Sequence, residues 1–303
     1  MNVDKLDFTS KSAVADFVNG CEERYLADVK KACDVALGGG KIITLCGPTC
    51  SGKTTTALIL DDEFKACGKE LHTISIDDFY FDKEYLISRS LEKGIPLDYD
   101  SPYTIDVELF ASSLEQICSL DKVRLPKFDF KTGSRSGFEE ISLTDGDIFL
   151  FEGIQAVYPN ITKHLAGHNY TSIFISVADD VCIDGALFTA REIRFMRRLV
   201  RDARARGATA EFTFSLWESV VKNEIENIYP NLSGVDFSIN SAMGYEPCVI
   251  KPYVLPLLYE IKAESAFYAR ARALIEKLEN IPQIDSEFIS DDSVFREFIG
   301  KKA

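Results

Sequence analysis

The stretch Gly47-Pro48-Thr49-Cys50-Ser51-Gly52-Lys53-Thr54 decides how the rest of the chain is read. It fits G-x-x-x-x-G-K-[ST], the pattern of a loop that wraps an anion in backbone N–H groups. Its surroundings fit as well. Residues 41–46, Lys-Ile-Ile-Thr-Leu-Cys, are short and rich in β-branched residues and read as a buried strand. Past Thr54, Ala57, Leu60, Phe64 and Cys67 recur at helical spacing, and Gly68 is a good stop. A strand, a glycine loop and a helix in this order point the positive end of a helix at the bound group. The ligand implied is a nucleoside triphosphate. Gly47, Cys50, Ser51, Gly52 and Thr55 would line its phosphates. Lys53 would reach the β- and γ-phosphates, and the Thr54 hydroxyl would ligate Mg²⁺. The alternative, a chance glycine-rich turn, does not account for both the strand and the helix.

Composition narrows the class. The 303 residues are 46% hydrophobic and 27% charged, which suits one large α/β domain or one domain with additions. The net charge of −14 argues against a nucleic-acid or anionic-membrane binder, since both need a positive surface. No apolar run approaches the roughly 20 residues of a membrane span. The first residues lack the basic and apolar regions of a secretory signal. Eight cysteines at irregular spacing, with no C-x-x-C pair, read as reduced thiols of a cytoplasmic protein. Cys50, near a helix N-terminus, is either a reactive thiol or, the better reading, a passive loop residue.

Along the chain, residues 1–40 read as a helical extension of two helices. One carries Val14, Phe17 and Val18. The other carries Tyr25, Val29, Ala32 and Ala36 and stops at Gly38-Gly39-Gly40, packed near the sheet edge. Further strands are expected at residues 71–76, 147–152, 172–177 and 236–240. Helices are expected at 107–120, 189–206 and 264–279. Pro126 suits an edge, so residues 122–143 read as a β-hairpin flap. Strands alternating with helices predict a doubly wound α/β domain with a five-stranded, mostly parallel sheet.

Three groups of residues carry chemistry. Asp77 and Asp78 follow a strand end, where open α/β sheets bind ligands. Asp77 is the candidate base for transfer of a phosphoryl group to a hydroxyl, and also lies where Mg²⁺ would sit. Glu152, at the end of a buried strand, is placed to hold Mg²⁺. Arg191, Arg194, Arg197, Arg198, Arg201, Arg204 and Arg206 crowd one helix, and four of them at i, i+3, i+4, i+7 share a face. With few acidic partners in the run, they read as a lid over ATP, an RNA-binding face being the alternative. His164 and His168 have metal-pair spacing but no third ligand, and read as surface residues. N-K-x-D, D-x-x-G and L-S-G-G are absent, which disfavours GTPases and transport ATPases.

Together these motifs resemble the uridine kinase and phosphoribulokinase group of P-loop kinases. Ile76-Asp77-Asp78-Phe79-Tyr80 is similar to the group's D-S-F-Y element, whose first Asp is the base. Phe151-Glu152-Gly153-Ile154 is similar to its E-G-I strand end. Arg194 to Gly207 is similar to its R-L-x-R-R-x-x-R-D-x-x-x-R-G lid helix. Asp100-Ser101-Pro102 matches the element whose Asp holds ribose hydroxyls, and Pro126-Lys127-Phe128-Asp129-Phe130 matches the P-x-Y-D-F strand of the nucleoside-binding hairpin. Asn240-Ser241-Ala242 and Lys251-Pro252-Tyr253 resemble a bacterial branch of uridine-kinase-like nucleoside kinases. Some longer members of that branch carry an extra N-terminal domain that residues 1–40 are too few to hold.

The resemblance implies ATP and Mg²⁺ as cofactors. Asp77, Lys53, Arg198 and Arg201 would be catalytic, and Arg206 would lie on the nucleotide. Tyr80, Asp100, Phe128, Phe130 and Arg198 would lie on the acceptor, a small molecule and most plausibly a nucleoside. It implies a kinase domain over residues 41–250 with a lid at 189–216, and a helical segment at 251–303 packed on it. A homo-oligomer stays open, as do a sugar-phosphate or polyol kinase and a non-catalytic ATP sensor. The group's polar base readers are missing: they fall on Phe128, Gly133, Ala208 and Leu216.

Overall fold

Apolar segments pair edge to edge into one parallel sheet whose order puts the phosphate loop at its middle. The computed structural model describes residues 1–3, 7–94 and 97–302. Its strands are β1 (Ile42–Cys46), β2 (Glu70–Ser75), β3 (Lys122–Asp129), β4 (Ser134–Ser142), β5 (Asp147–Glu152), β6 (Tyr170–Ser176), β7 (Val181–Ile183), β8 (Ala186–Phe188) and β9 (Phe237–Asn240). The main sheet runs β2-β5-β1-β6-β9, and every neighbouring pair is parallel. The chain leaves β1 toward one edge and later returns to fill the other, so a crevice opens beyond the C-terminal end of β1. The expected five-stranded α/β sheet with residues 41–46 at its centre is what forms.

Successive side chains of a strand point to opposite faces, so a strand covered on both sides is apolar throughout. On β5, Ile148 and Leu150 enter one core while Phe149 and Phe151 enter the other. The helices are α1 (Lys11–Leu37), α2 (Lys53–Ala66), α3 (Lys83–Lys93), α4 (Val107–Ser119), α5 (Pro159–Leu165), α6 (Ala190–Arg206), α7 (Ala210–Asn223), α8 (Glu246–Tyr259), α9 (Tyr268–Glu279) and α10 (Arg296–Ile299). Helices α1, α2, α6 and α8 cover the first face, and α4 and α5 the second. The hairpin β3–β4 stands apart from the main sheet, as Pro126 led us to expect.

Several expectations need correction. The N-terminal extension is one 27-residue helix, not two. Its buried face continues without a break through Val14, Val18, Cys21, Tyr25, Val29, Ala32 and Ala36, and Gly20 between them costs too little to end it. Ser10 caps its start, accepting from the Ala13 N–H at 3.3 Å. Cys67 is exposed and lies past the end of α2. The helix expected at 264–279 begins at Tyr268, and α8 runs through residue 251 with Pro252 and Pro256 inside it. The short hairpin β7–β8 has no counterpart in the sequence reading.

The C-terminal residues share the main core. Phe295 and Phe298 are fully buried, and Phe295 packs edge-on to Tyr245 at 5.7 Å. Phe295→Ala is therefore expected to destabilise the whole fold by about 3–5 kcal/mol, read as a fall in the urea midpoint of a single cooperative transition. A variant as stable as the parent would mean that this segment is only an appendage.

Candidate functional site

The phosphate loop is held in shape by contacts on all sides. Gly47 lies so close to β6 that a Cβ there would fall 2.2 Å from the Ile175 carbonyl oxygen. Gly52 has φ +93°, and its Cβ would sit 2.5 Å from Val294 of the C-terminal segment. Cys50 is a non-glycine residue at φ +59° and is buried. Lys53 Nζ donates to the carbonyl oxygens of Gly47 at 3.0 Å and Pro48 at 3.3 Å. It also lies 3.9 Å from Glu152 Oε1. Burial pushes the Glu152 carboxyl above its usual range, and Lys53 pulls it back.

Beyond the loop opens a cleft of about 800 Å³. Lys53, Thr54, Glu152 and Asp77 line one part of it, and Arg198, Arg201 and Arg206 line another. Tyr80, Asp100, Phe128 and Phe130 line the same cleft. The sequence-derived candidates thus meet in one place. The donor set also suits a triphosphate with Mg²⁺. There is a glycine cradle, a lysine folded onto its own loop, a buried Ser51 hydroxyl with no partner among the described residues, and a hydroxyl and carboxylates for a hard cation.

Each candidate has a definite local reason for its place. Asp77 and Asp78 sit in a single 3₁₀ turn over Ile76–Phe79, started by Ser75, whose hydroxyl accepts from the Asp77 N–H at 3.3 Å. Asp77 Oδ1 accepts from Gln155 Nε2 at 3.1 Å. Asp78 does another job: its Oδ1 accepts from the Phe128 N–H at 3.0 Å and ties the hairpin to the sheet. Asp100 is largely enclosed, and its carbonyl oxygen accepts from the Tyr158 hydroxyl at 3.0 Å. Burial, then Asp98, push its carboxyl up to about 6, with Arg198 acting in the opposite direction. Tyr80, Phe128 and Phe130 form an aromatic wall, with ring centroids 5.2 to 6.5 Å apart, and Tyr99 adds a fourth ring at 6.1 Å from Tyr80.

The arginine helix divides into two groups. Arg194 and Arg197 do not face the cleft and are almost fully buried. Arg194 makes two 2.6 Å bonds to Glu224 and donates to the Thr49 carbonyl oxygen at 3.2 Å. Arg197 donates to Glu246 at 2.7 Å, to the Ser241 carbonyl oxygen at 2.7 Å and to the Cys50 carbonyl oxygen at 3.0 Å. Arg198, Arg201 and Arg206 line the cleft and share Asp202. The acidic partners missing from the run itself come from elsewhere in the chain, and this removes the uniform arginine face on which an RNA-binding reading depended.

Sequence reasoning missed four participants. Gln155, Tyr99 and Lys83 line or support the cleft, and a lone amide in the apolar run Ile154-Gln155-Ala156-Val157 was the one visible signal. Glu297 was invisible: it lies 242 residues from Thr55, yet accepts from the Thr55 hydroxyl at 3.0 Å. His164 and His168 are half-buried, and no group of three or more His, Cys, Asp or Glu side chains that could hold a metal occurs among the described residues. Nor is any described helix long and apolar enough to cross a membrane.

Residues 42–244 match the phosphoribulokinase / uridine kinase family. The chain belongs to that family of kinases. A uridine kinase of Halalkalibacterium halodurans is 30% identical over 181 residues, 60% of this chain and 76% of the relative. One of Ureaplasma parvum serovar 3 is 28% identical over 182 residues, 59% of this chain and 77% of the relative. Among solved structures, the D-glycerate 3-kinase of Cryptococcus neoformans var. grubii covers 73% of this chain and 96% of its own, at 15% identity and TM-score 0.47.

Removing one partner of a buried ion pair leaves the other charge stranded. Glu246→Ala is expected to lower stability by about 3–5 kcal/mol, measured by urea denaturation. An exposed pair such as Lys122–Glu140 should cost under about 1 kcal/mol when broken. Equal, small losses at both sites would contradict the clamp.

Proposed function

We propose that the protein is an ATP- and Mg²⁺-dependent kinase that phosphorylates the 5′-hydroxyl of a nucleoside, with a base preference unlike the strict choice of uridine and cytidine. The observation that carries this reading is the position of Asp77. It lines one cleft with Lys53 and Glu152 and with an aromatic wall and the carboxyl of Asp100, and its charge acts on both Glu152 and Asp100. The names of the two uridine kinases to which the chain is similar support a nucleoside as acceptor.

In this reading the loop amides and Lys53 hold the triphosphate, and Thr54, Glu152 and Asp77 hold the metal, which supplies positive charge at the terminal phosphate. Asp77 takes the acceptor's hydroxyl proton as the acceptor oxygen bonds the terminal phosphorus. The bridging P–O bond breaks and ADP leaves with that electron pair. Arg198, Arg201 and Arg206 offset charge on the transferred group. The Asp100 carboxylate holds the ribose hydroxyls, and Phe128 and Phe130 face the base. Stacking on an aromatic ring tolerates any base, because every base has a π-face.

ADP release across nucleosides, sugar phosphates and polyols tests the class. Nucleosides should be turned over with base-to-base differences within the roughly 1–3 kcal/mol that apolar contacts supply. Turnover of a sugar phosphate alone would reject the acceptor, and no turnover with tight ATP binding would favour a sensor. Asp77→Asn should lower kcat by about 10²–10⁴-fold while ATP still binds, and an unchanged kcat would remove Asp77 as base.

Asp100 makes a prediction of opposite sign for stability and binding. Its folded value of about 6 lies above the usual carboxyl range, so the native state keeps the proton longer than the unfolded chain. Its contribution to stability therefore falls as pH rises from about 4 to about 6. Asp100→Asn should raise the thermal midpoint at pH 7 relative to the parent, yet raise KM for every nucleoside. A variant that changes neither would show that the carboxylate has no part in the site.

A further inference from the structure

The end of β5 and the turn that follows it carry two polar side chains three residues apart. Glu152 faces Lys53, and Gln155 reaches Asp77 from behind. Gln155 is fully buried in an otherwise apolar turn. Its amide nitrogen donates to Asp77 Oδ1 at 3.1 Å and to the Tyr80 hydroxyl at 3.0 Å, so both of its N–H bonds are used. The Tyr80 hydroxyl in turn donates to the Tyr99 carbonyl oxygen at 3.0 Å. A continuous chain of hydrogen bonds therefore runs from Asp77 to the main chain beside Asp100.

The other end of the amide is unusual. Gln155 Oε1 is buried and has no hydrogen-bond partner among the described residues. It lies over Gly153, where an added Cβ would stand 3.0 Å away. A buried carbonyl oxygen without a partner is a cost to folding. An apolar side chain of the same length would avoid that cost. The amide is thus poorly explained as a packing residue and well explained by its two N–H bonds.

We propose that Gln155 is a positioning residue for phosphoryl transfer. It holds Oδ1 of Asp77 so that Oδ2 takes the acceptor's proton, and it ties that carboxylate to the aromatic wall through Tyr80. The proposal rests on Asp77 being the base. A carboxylate on a short side chain rotates about its terminal bond unless something holds one oxygen. Misplacing a reacting group by a small distance costs catalysis far more than it costs binding.

The test is Gln155→Met, which keeps length and apolar packing but removes both N–H donors, alone and combined with Asp77→Asn. Four quantities are read with ATP and the best acceptor found: kcat, acceptor KM, the ATP dissociation constant and the urea midpoint. The expected result is a 10- to 100-fold loss of kcat, with KM and ATP affinity within twofold and the urea midpoint near the parent's. In the Asp77→Asn background the same change should alter the residual rate by less than twofold, because the group it positions is gone. Gln155→Met with the parent's kcat, while Asp77→Asn is inactive, overturns this inference alone. So does an equal loss in both backgrounds, or a kcat loss matched by a fall in the urea midpoint. Asp77→Asn with full kcat overturns the base assignment and this inference together.

Discussion

The shape of the phosphate loop depends on one guanidinium that water cannot reach. Arg197 is fully buried and binds Glu246, the carbonyl oxygens of Cys50 and Ser241, and the face of Phe298 at 4.8 Å. Burial works against its charge, but the Glu246 carboxylate outweighs that and holds it protonated. Only arginine offers a planar fork of five donors that can meet this many acceptors at once. Cys50 needs the hold, because a non-glycine residue at φ +59° is strained and persists only where its surroundings determine it. Arg194 holds the neighbouring Thr49 carbonyl from the same helix. Two of the loop's carbonyl oxygens, those of Thr49 and Cys50, are thus bound by arginines of α6.

This constraint explains why so much of the chain contributes to a small site. Arg197 comes from α6, Ser241 from the turn after β9, Glu246 from the start of α8, and Phe298 from α10. The family match ends at residue 244, yet Val294, Glu297 and Phe298 all touch the loop or its clamp. The first half of α6 is immobilised by Glu224 and Glu246, and the residues that line the cleft come from its second half. A run of arginines that looks uniform in the sequence is thus a buried anchor followed by residues that line the cleft.

What the sequence made legible was whatever rests on local period and motif. Five apolar strands, the hairpin set apart by Pro126 and the loop between β1 and α2 follow from side-chain alternation and turn chemistry, and the chain folds as they require. The cleft residues Lys53, Asp77, Glu152, Asp100 and Phe128 came from motifs, and they do meet in space. Pairings over long sequence distance were not legible. Nothing near Arg194 or Arg197 announces Glu224 or Glu246, and nothing near Thr55 announces Glu297. The continuity of α1 was missed for a different reason. Gly20 lies on its solvent side, with nothing within 4 Å of where a Cβ would be, so it interrupts the polar face and leaves the buried one whole.

The acceptor end shows how a missing side chain can be a structural requirement. Residue 133, where related kinases resembling this chain carry a base-contacting histidine, is a glycine at φ +71°. A Cβ there would lie 2.9 Å from the Cβ of Lys83, and the Lys83 N–H donates to the Gly133 carbonyl oxygen at 2.7 Å. The tip of the hairpin is therefore docked directly on α3, and any side chain at 133 would push the two apart. That docking also brings Arg135 close enough to α4 to pair with Asp106 at 3.1 Å. With Phe128 and Leu216 at the other expected reading positions, the cleft presents an apolar wall there. That wall and the carboxyl of Asp100 are what this side of the cleft offers to a bound molecule.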